Sequence, residues 1–266
     1  MTDGILTHEP ALRIVCFVSV LAIMMVWEFL TPRRRAVVRL QRWANNLGLV
    51  LLNSVLLRVF MPAAAVGAAL FAAREGWGLM HWLDLPGWLA FILALVLLDL
   101  AIWAQHVAMH KIPLLWRLHR VHHTDVDYDT TTGLRFHPIE IGLSMAYKMA
   151  CVVVLGAPAA AVILFEIFLS ASALFNHGNV VLPARFDRVL RRVIVTPDMH
   201  RVHHSVYRDE TDSNYGFSLS VWDQLFGTYR AQPRDGHEGM TIGLDVFRAP
   251  RDCLLDRLLI QPFRAP

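Results

Sequence analysis

The histidines of this 266-residue chain are the residues whose number and spacing point to chemistry, since ten of the thirteen lie between residues 106 and 204. His106 and His110 form an H-x3-H pair, and the pentapeptide HRVHH occurs twice, at residues 119–123 and 200–204. The other histidines are His137 and His177, which lie between the two copies, and the isolated His8, His81 and His237.

The spacing of these motifs predicts metal binding. Residues at positions i, i+3 and i+4 share one face of a helix, so each HRVHH presents three imidazoles in one direction. Neutral imidazole is the commonest protein ligand for transition metals, and a cluster of imidazoles without a metal leaves many polar groups unsatisfied. Eight imidazoles exceed the four to six ligands of one metal, so the pattern indicates two metals. The eight are His106, His110, His119, His122, His123, His200, His203 and His204.

Other catalytic centres find no support in the sequence. The three cysteines are too scattered for a disulfide framework or a thiolate site, and no H-E-x-x-H motif is present. An all-histidine site binds zinc more tightly than iron, so the residues alone do not choose the metal. They leave three functions open: activation of O2 against a C–H bond of a lipid, metal transport across a membrane, and zinc-dependent hydrolysis.

Composition places these motifs in a membrane protein. The chain is 55% apolar and 18% charged, whereas soluble domains carry about 25% charged residues. Apolar runs cover residues 12–30, 47–73, 88–103 and 141–175, and Gly156-Ala157-Pro158 interrupts the last one. We expect four to five crossings, one of them a broken hairpin. Arg58 conflicts with a simple second crossing, because a charge at mid-membrane costs at least about 2.5 kcal/mol.

The distribution of charge predicts the orientation. Five arginines and no acid lie between residues 33 and 42, which indicates a cytoplasmic loop and an outer N-terminus. The two HRVHH copies flank the last apolar run and share one face if they form one site. We therefore predict an all-α, multi-pass transmembrane bundle with a cytoplasmic helical cap that carries the two metals. Residues 1–87 would form the membrane anchor and residues 88–266 the catalytic domain. A net charge of +3 argues against a nucleic-acid partner.

Longer strings around the histidines carry a family resemblance. H-x3-H and two H-x2-HH motifs around a transmembrane hairpin resemble the fatty acid hydroxylase and sterol desaturase superfamily of membrane di-iron enzymes. The resemblance covers about residues 95–229 and includes TTGLRFHPIE, NHGN, TPDMHRVHHS and TDSNYGFSLSVWDQLFGTY. Within this superfamily, the chain is most similar to the bacterial branch of sterol desaturase family proteins.

The resemblance implies two Fe2+ ions held by the eight clustered histidines and by His177. Some members carry a further histidine at the position of Ala173. It also implies O2 as co-substrate and hydroxylation or desaturation of a fatty acyl, sterol or related lipid. The chain has no nucleotide or haem motif, so electrons would come from a ferredoxin or a small haem cytochrome with its reductase. The location expected is a bacterial inner membrane, with the site facing the cytoplasm.

Further residues are expected around the metals. Asp99 lies seven residues before His106 and continues its helical stripe, which places a carboxylate beside the ligands. The residues expected to support the ligands are Asp99, His137, Glu140, Asn176 and Asp198. Phe165, Phe168 and Phe175 are candidates for lining a lipid groove. Tyr215, Trp222 and Asp223 are expected to order the cap.

Overall fold

The computed structural model describes residues 2–35 and 39–265, and within these residues the chain is helical with no named strand. The α-helices are α1 (Thr2–Leu30), α2 (Arg39–Phe60), α3 (Ala64–Glu75), α4 (Leu79–Trp82), α5 (Gly87–Lys111), α6 (Pro113–His123), α7 (Pro138–Leu155), α8 (Ala159–Asn176), α9 (Ala184–Leu190), α10 (Pro197–His203), α11 (Arg208–Thr211), α12 (Val221–Leu225), α13 (Gly236–Gly239) and α14 (Leu255–Ile260). Short 3-10 helices span Thr130–Leu134, Pro250–Cys253 and Gln261–Phe263.

The predicted all-α membrane bundle is confirmed. Within the described part of the chain, five segments are long and apolar enough to cross a bilayer: His8–Leu30, Leu40–Trp82, Gly87–Lys111, Pro138–Leu155 and Ala159–Asn176. Helix α5 has 25 residues, so at 1.5 Å per residue it is about 37 Å long. It therefore exceeds the hydrocarbon thickness of about 30 Å and carries the H-x3-H pair at its end.

The predicted broken hairpin is also confirmed. Helix α7 ends at Gly156, which adopts a left-handed φ of 67°, and Pro158 caps the start of α8. A Cβ at Gly156 would lie 2.8 Å from the carbonyl oxygen of Trp77 and 2.7 Å from the ring of His81. Only glycine therefore fits both the backbone conformation and this close approach. The hairpin returns the chain to the end of the bundle that carries the histidines.

The second apolar run, residues 47–73, lies within the candidate crossing Leu40–Trp82 but is not one continuous helix. Helix α2 ends at Phe60 and α3 starts at Ala64, with Pro62 at the break between them. Leu57 and Phe60 line one small cavity with the first residues of α7. Arg58 is exposed and lies near the level where α7 begins. Arg58 belongs to the last turn of α2, before the break at Pro62.

Small residues bring the membrane helices together. Helices α3, α5, α7 and α8 share a buried core in which alanine is the most frequent residue type. Because small side chains let helix backbones approach closely, they are typical of packing between membrane helices. The alanines of this core are Ala65, Ala68, Ala69, Ala90, Ala94, Ala157 and Ala161.

A buried polar network joins α2 to the segment after the first HRVHH. The Arg42 guanidinium donates to Asp125 at 2.5 and 2.7 Å and to Asp129 at 2.8 Å. Thr132 Oγ1 donates to Asp125 at 3.0 Å, and Asn46 Nδ2 donates to it at 3.3 Å. Burial raises the pKa of Asp125, but the nearby guanidinium groups outweigh it and hold the pKa at about 2. We call these five residues the Arg42 network.

Candidate metal centre

Nine buried histidines form two adjacent groups in which the potential ligand nitrogens all lie within 4.8 Å of one another. The five members of group A are His106, His110, His119, His123 and His203. The four members of group B are His122, His177, His200 and His204. All nine histidines expected as ligands therefore come together, and their division into two groups fits the expected number of metals.

The two HRVHH copies divide their histidines between the groups. The first copy gives His119 and His123 to group A and His122 to group B. The second copy gives two histidines to group B and only His203 to group A. The pair four residues apart stays together in each copy, and the residue between them turns to the other group. Helical spacing predicts that the three rings of each copy point in one direction, whereas the structure divides them between two groups.

Several imidazoles are held through Nδ1, which leaves Nε2 for the centre. The carbonyl oxygen of Tyr215 lies 2.7 Å from His106 Nδ1, and that of Ser213 lies 2.6 Å from His203 Nδ1. The Ala173 carbonyl lies 2.8 Å from His177 Nδ1. A carbonyl only accepts hydrogen bonds, so each of these three rings donates from Nδ1–H. Their Nε2 atoms then carry free lone pairs, which is the form that binds a metal.

The facing nitrogens lack the partners that buried polar atoms require. The Nε2 atom of His106 lies 3.1 Å from the Nε2 atoms of both His119 and His203, and the same distance separates His122 Nε2 from His177 Nε2. Within the described residues, eight further ring nitrogens of the nine clustered histidines are buried without a hydrogen-bond partner. Those nitrogens belong to His110, His122, His123, His200 and His204. A cation at each centre would bind one nitrogen of every ring in its group, so the residues present fit a pair of metals.

Burial also keeps the imidazoles neutral. It lowers the pKa of His177 to about 4, against the raising effect of the Ala173 carbonyl. The pKa of His203 falls to about 3 for the same reason, against the Ser213 carbonyl. Burial and the neighbouring imidazoles put the pKa values of His122 and His200 well below the usual value. Near pH 7 these rings therefore have the protonation state that a metal ligand needs.

Of the five residues expected to support the ligands, Glu140 contacts one directly. Its Oε1 lies 2.6 Å from His119 Nδ1, and its Oε2 is buried without a partner. His137 instead caps α7, accepting from the Ile139 N–H at 3.2 Å, and its other ring nitrogen lies 3.1 Å from the Leu259 carbonyl. The structure therefore does not bring His137 to the centre.

Asp99, Asn176 and Asp198 also bond elsewhere. Asp99 accepts from Trp222 Nε1 at 2.8 Å, which attaches the cap to α5. The Asn176 side chain donates to the Phe217 carbonyl at 2.7 Å. Asp198 pairs with Arg201, which holds the pKa of this carboxyl below its usual value although burial raises it. These three residues stabilise the surroundings of the ligands without contacting their rings in the described structure.

The sequence did not predict the main-chain carbonyls, or the one further carboxylate, that lie beside the Nδ1 atoms of the clustered histidines. Asp212 Oδ1 lies 3.3 Å from His110 Nδ1. The only available signal for Asp212 was its place in the string TDSNYG. Gly133 is a second omission, because a Cβ there would lie 2.6 Å from the Ala173 carbonyl oxygen and 3.1 Å from His177 Nδ1. Gly133 thus makes room for the bond that orients His177.

The three residues expected to order the cap do so. Asp223 accepts from the Tyr215 N–H at 2.9 Å, the Gly216 N–H at 2.7 Å and Thr228 Oγ1 at 2.6 Å. It also accepts from Trp103 Nε1 of α5 at 3.0 Å. Together with Trp222 on Asp99, these bonds attach the segment that supplies the Tyr215 carbonyl to the end of α5.

An apolar cavity with a volume of about 250 Å³ opens on group A. His106, His119 and Glu140 line one end, and Phe136, Phe217 and Leu169 contribute to its walls. The phenylalanines expected to line a groove are not part of this cavity. Phe165 is buried in the helix core, and with Phe168 it lines a separate cavity beside Asp99.

Comparison with known proteins identifies relatives that act on lipids. Ornithine lipid hydroxylase OlsE of Rhizobium tropici is 32% identical over 143 residues, which are 54% of this chain and 42% of that protein. Human alkylglycerol monooxygenase is 27% identical over 154 residues, 56% of this chain and 32% of that protein. Delta(7)-sterol 5(6)-desaturase erg3B of Aspergillus fumigatus is 26% identical over 189 residues, 67% of this chain and 52% of that protein. The chain thus spans between about a third and a half of these relatives.

A search of the solved structures found no significant match. A family model does match, and its description is fatty acid hydroxylase. It covers residues 91–228, about half of the chain, and this range includes both HRVHH copies, His177 and the segment that carries Asp212 and Tyr215. The chain therefore belongs to the fatty acid hydroxylase family.

Proposed function

We propose that this protein is a membrane di-iron oxygenase that uses O2 to hydroxylate, or to desaturate, an unactivated C–H bond of a lipid. The observation that carries the proposal is the pair of imidazole groups at the end of an apolar cavity. A hydroxylation consumes the lipid, O2, two electrons and two protons, and yields the alcohol and water. A desaturation consumes the same reagents and yields the alkene and two waters.

The chain's own residues would hold the two irons and the lipid. Group A would bind one Fe2+ and group B the other, and these ions would supply the activation of O2. Carbonyl and carboxylate partners fix the rings before any metal binds, which lowers the cost of assembling the site. Phe136 stacks on His122 with 4.5 Å between the ring centroids, and Tyr128 stacks on His177 with 5.6 Å between the ring centroids. These aromatic rings exclude water from the reacting atoms.

We further propose that the site faces the cytoplasm of a bacterium, with the protein in the inner membrane. The arginine-rich stretch 33–42 supports this orientation by the positive-inside rule; its residues 36–38 lie outside the described structure. An external ferredoxin, or a small haem cytochrome with its reductase, would supply the electrons. A basic surface at this end would favour an acidic carrier.

The experiment that tests this function combines metal analysis with isotope labelling. Protein purified anaerobically under reducing conditions should contain about two irons per chain. Lipids from cells with and without the gene, grown under 18O2, should differ by one labelled hydroxyl group, or by loss of two hydrogens. Label entering from water instead would support a zinc-dependent hydrolase. Metal flux in proteoliposomes without any lipid product would support a transporter.

A further inference from the structure

Three membrane helices are joined by charged side chains deep between them. Glu166 of α8 accepts from Lys148 of α7 through one carboxylate oxygen, and from Arg13 of α1 through the other at 2.5 Å. The side chains of Lys148 and Glu166 are only 11% and 6% exposed, whereas that of Arg13 is 28% exposed. Charges within a membrane are costly, so their presence calls for a function.

Lys148 differs from Arg13 in one respect that decides its role. It lines the cavity that opens on group A, whereas Arg13 does not. Helix α7 places Glu140, Ser144 and Lys148 four residues apart on one face, and all three line this cavity. The stripe starts at Glu140 beside His119 and reaches Lys148 after about 12 Å along the helix axis.

The remaining donors of Lys148 give the cavity a polar end. An ammonium group has three N–H donors. Among the described residues, Glu166 is the one hydrogen-bond acceptor of this ammonium group. In an apolar cavity the other donors need an acceptor, because an unsatisfied donor in hydrocarbon is strongly unfavourable. The carbon chain of a lipid cannot supply one, but an oxygen atom on that lipid can.

We propose that Lys148 is a specificity-determining residue that donates a hydrogen bond to an oxygen of the lipid substrate. This inference rests on the proposed lipid oxidation and narrows its substrate class. The substrate carries an ester, amide, ether or hydroxyl oxygen roughly 12 Å from the carbon presented to the metals, as the helical rise between Glu140 and Lys148 requires. Glu166 holds the ammonium group in place, and Arg13 pairs with the other carboxylate oxygen of Glu166 and does not line the cavity.

The test compares Lys148→Met with Arg13→Gln, because both changes remove a cation from Glu166 but only the first alters the cavity. Binding of 1-O-hexadecylglycerol and of hexadecane is measured by the shift in thermal midpoint of the detergent-solubilised, iron-loaded protein. We expect Lys148→Met to bind hexadecylglycerol about tenfold more weakly and hexadecane as well as the wild type does. Arg13→Gln should bind both as the wild type does.

Other outcomes would overturn the inference. If both variants lose the same affinity, or if Lys148→Met loses none, the three charges only hold the helices together. Should Lys148→Met fail to fold, the double variant Lys148→Met/Glu166→Gln removes the pair without leaving an unpaired carboxylate, and the same comparison applies. Wild-type protein that binds hexadecylglycerol but oxidises no lipid would contradict the proposed function and leave the binding inference standing.

Discussion

The Arg42 network and the histidine groups are both buried and polar, yet they differ in how their atoms are satisfied. No side-chain nitrogen or oxygen of Arg42, Asp125 or Asp129 lacks a partner in the described structure. In contrast, both ring nitrogens of His123, only two residues before Asp125, have no hydrogen-bond partner in that structure. The same holds for both ring nitrogens of His204. A network that is complete in itself stabilises the fold, whereas an incomplete one requires a ligand.

Removing Arg42 should produce the largest loss of stability in the molecule. Arg42→Met leaves Asp129 without its hydrogen-bonded cation and leaves Asp125 with only Arg135, at 3.8 Å. Breaking a buried pair costs about 3 to 5 kcal/mol. We expect a strongly lowered thermal midpoint and poor yield even without metal. Arg35→Met, at an exposed position of the same arginine-rich stretch, is the control and should behave like the wild type.

Removing a histidine should have the opposite effect: metal binding and activity should fall strongly, and stability should change little. His122→Ala deletes a buried imidazole with an unsatisfied Nδ1, so the metal-free protein should lose only the packing of this ring and be destabilised less than Arg42→Met is. Bound iron should fall from about two per chain to one or none, and lipid oxidation should fall by at least about 100-fold. His81→Ala, at an exposed residue far from both groups, should keep iron and activity. A loss of metal-free stability as large as that of Arg42→Met would remove the distinction between the two regions.

Glu140 has features of both regions. One of its carboxylate oxygens is hydrogen-bonded to His119, and the other has no partner in the described structure. Glu140→Ala frees the His119 ring and should weaken iron binding by about 10- to 100-fold. Glu140→Gln retains an acceptor for His119 Nδ1 and should recover most of this loss. Iron affinity measured by competition with a chelator distinguishes the two variants. Equal losses in both would mean that the charge of Glu140 matters more than the orientation of the ring.

Acidification should disrupt the histidine groups at a higher pH than the Arg42 network. This is the smallest of the expected effects. The folded pKa of His177, about 4, lies below its unfolded value near 6.5. The unfolded chain therefore binds more protons as the pH falls from 6.5 to 4, and metal binding and stability at this residue decline. Asp125 has a folded pKa of about 2, so its stabilisation is present above its unfolded value near 4 and is lost as the pH falls through 2. Iron should dissociate at a pH at which circular dichroism still reports folded helices; simultaneous loss of both would contradict this order.

Much of the fold and the set of candidate ligands followed from the sequence. Apolar runs of sufficient length predict membrane helices, and Gly156 with Pro158 predicts the hairpin, because these properties are local. The histidine spacing predicted which rings come together for a similar reason. Helical spacing keeps the rings of each motif near one another, whereas tertiary packing divides them between the two groups.

Features that depend on distant backbone were not predictable. The acceptors of His106, His177 and His203 are carbonyl oxygens, and every residue has a carbonyl, so no side-chain pattern identifies them. Hydropathy also does not reveal that Asn46 and Asn53 bond to the segment after the first HRVHH. Asp99 and His137 have plausible chemistry for supporting ligands, but tertiary packing directs both to other partners.

Because each HRVHH copy is divided between the two groups, metals bound in these groups would be coupled to one another. The first copy lies on α6 and the second on α10 with the residue after it, so both groups depend on the relative position of the same two helices. An ion in one group fixes that position and therefore reduces the ordering that the other group must still undergo. Loading of the two sites should for this reason show positive cooperativity, with few chains that carry a single ion.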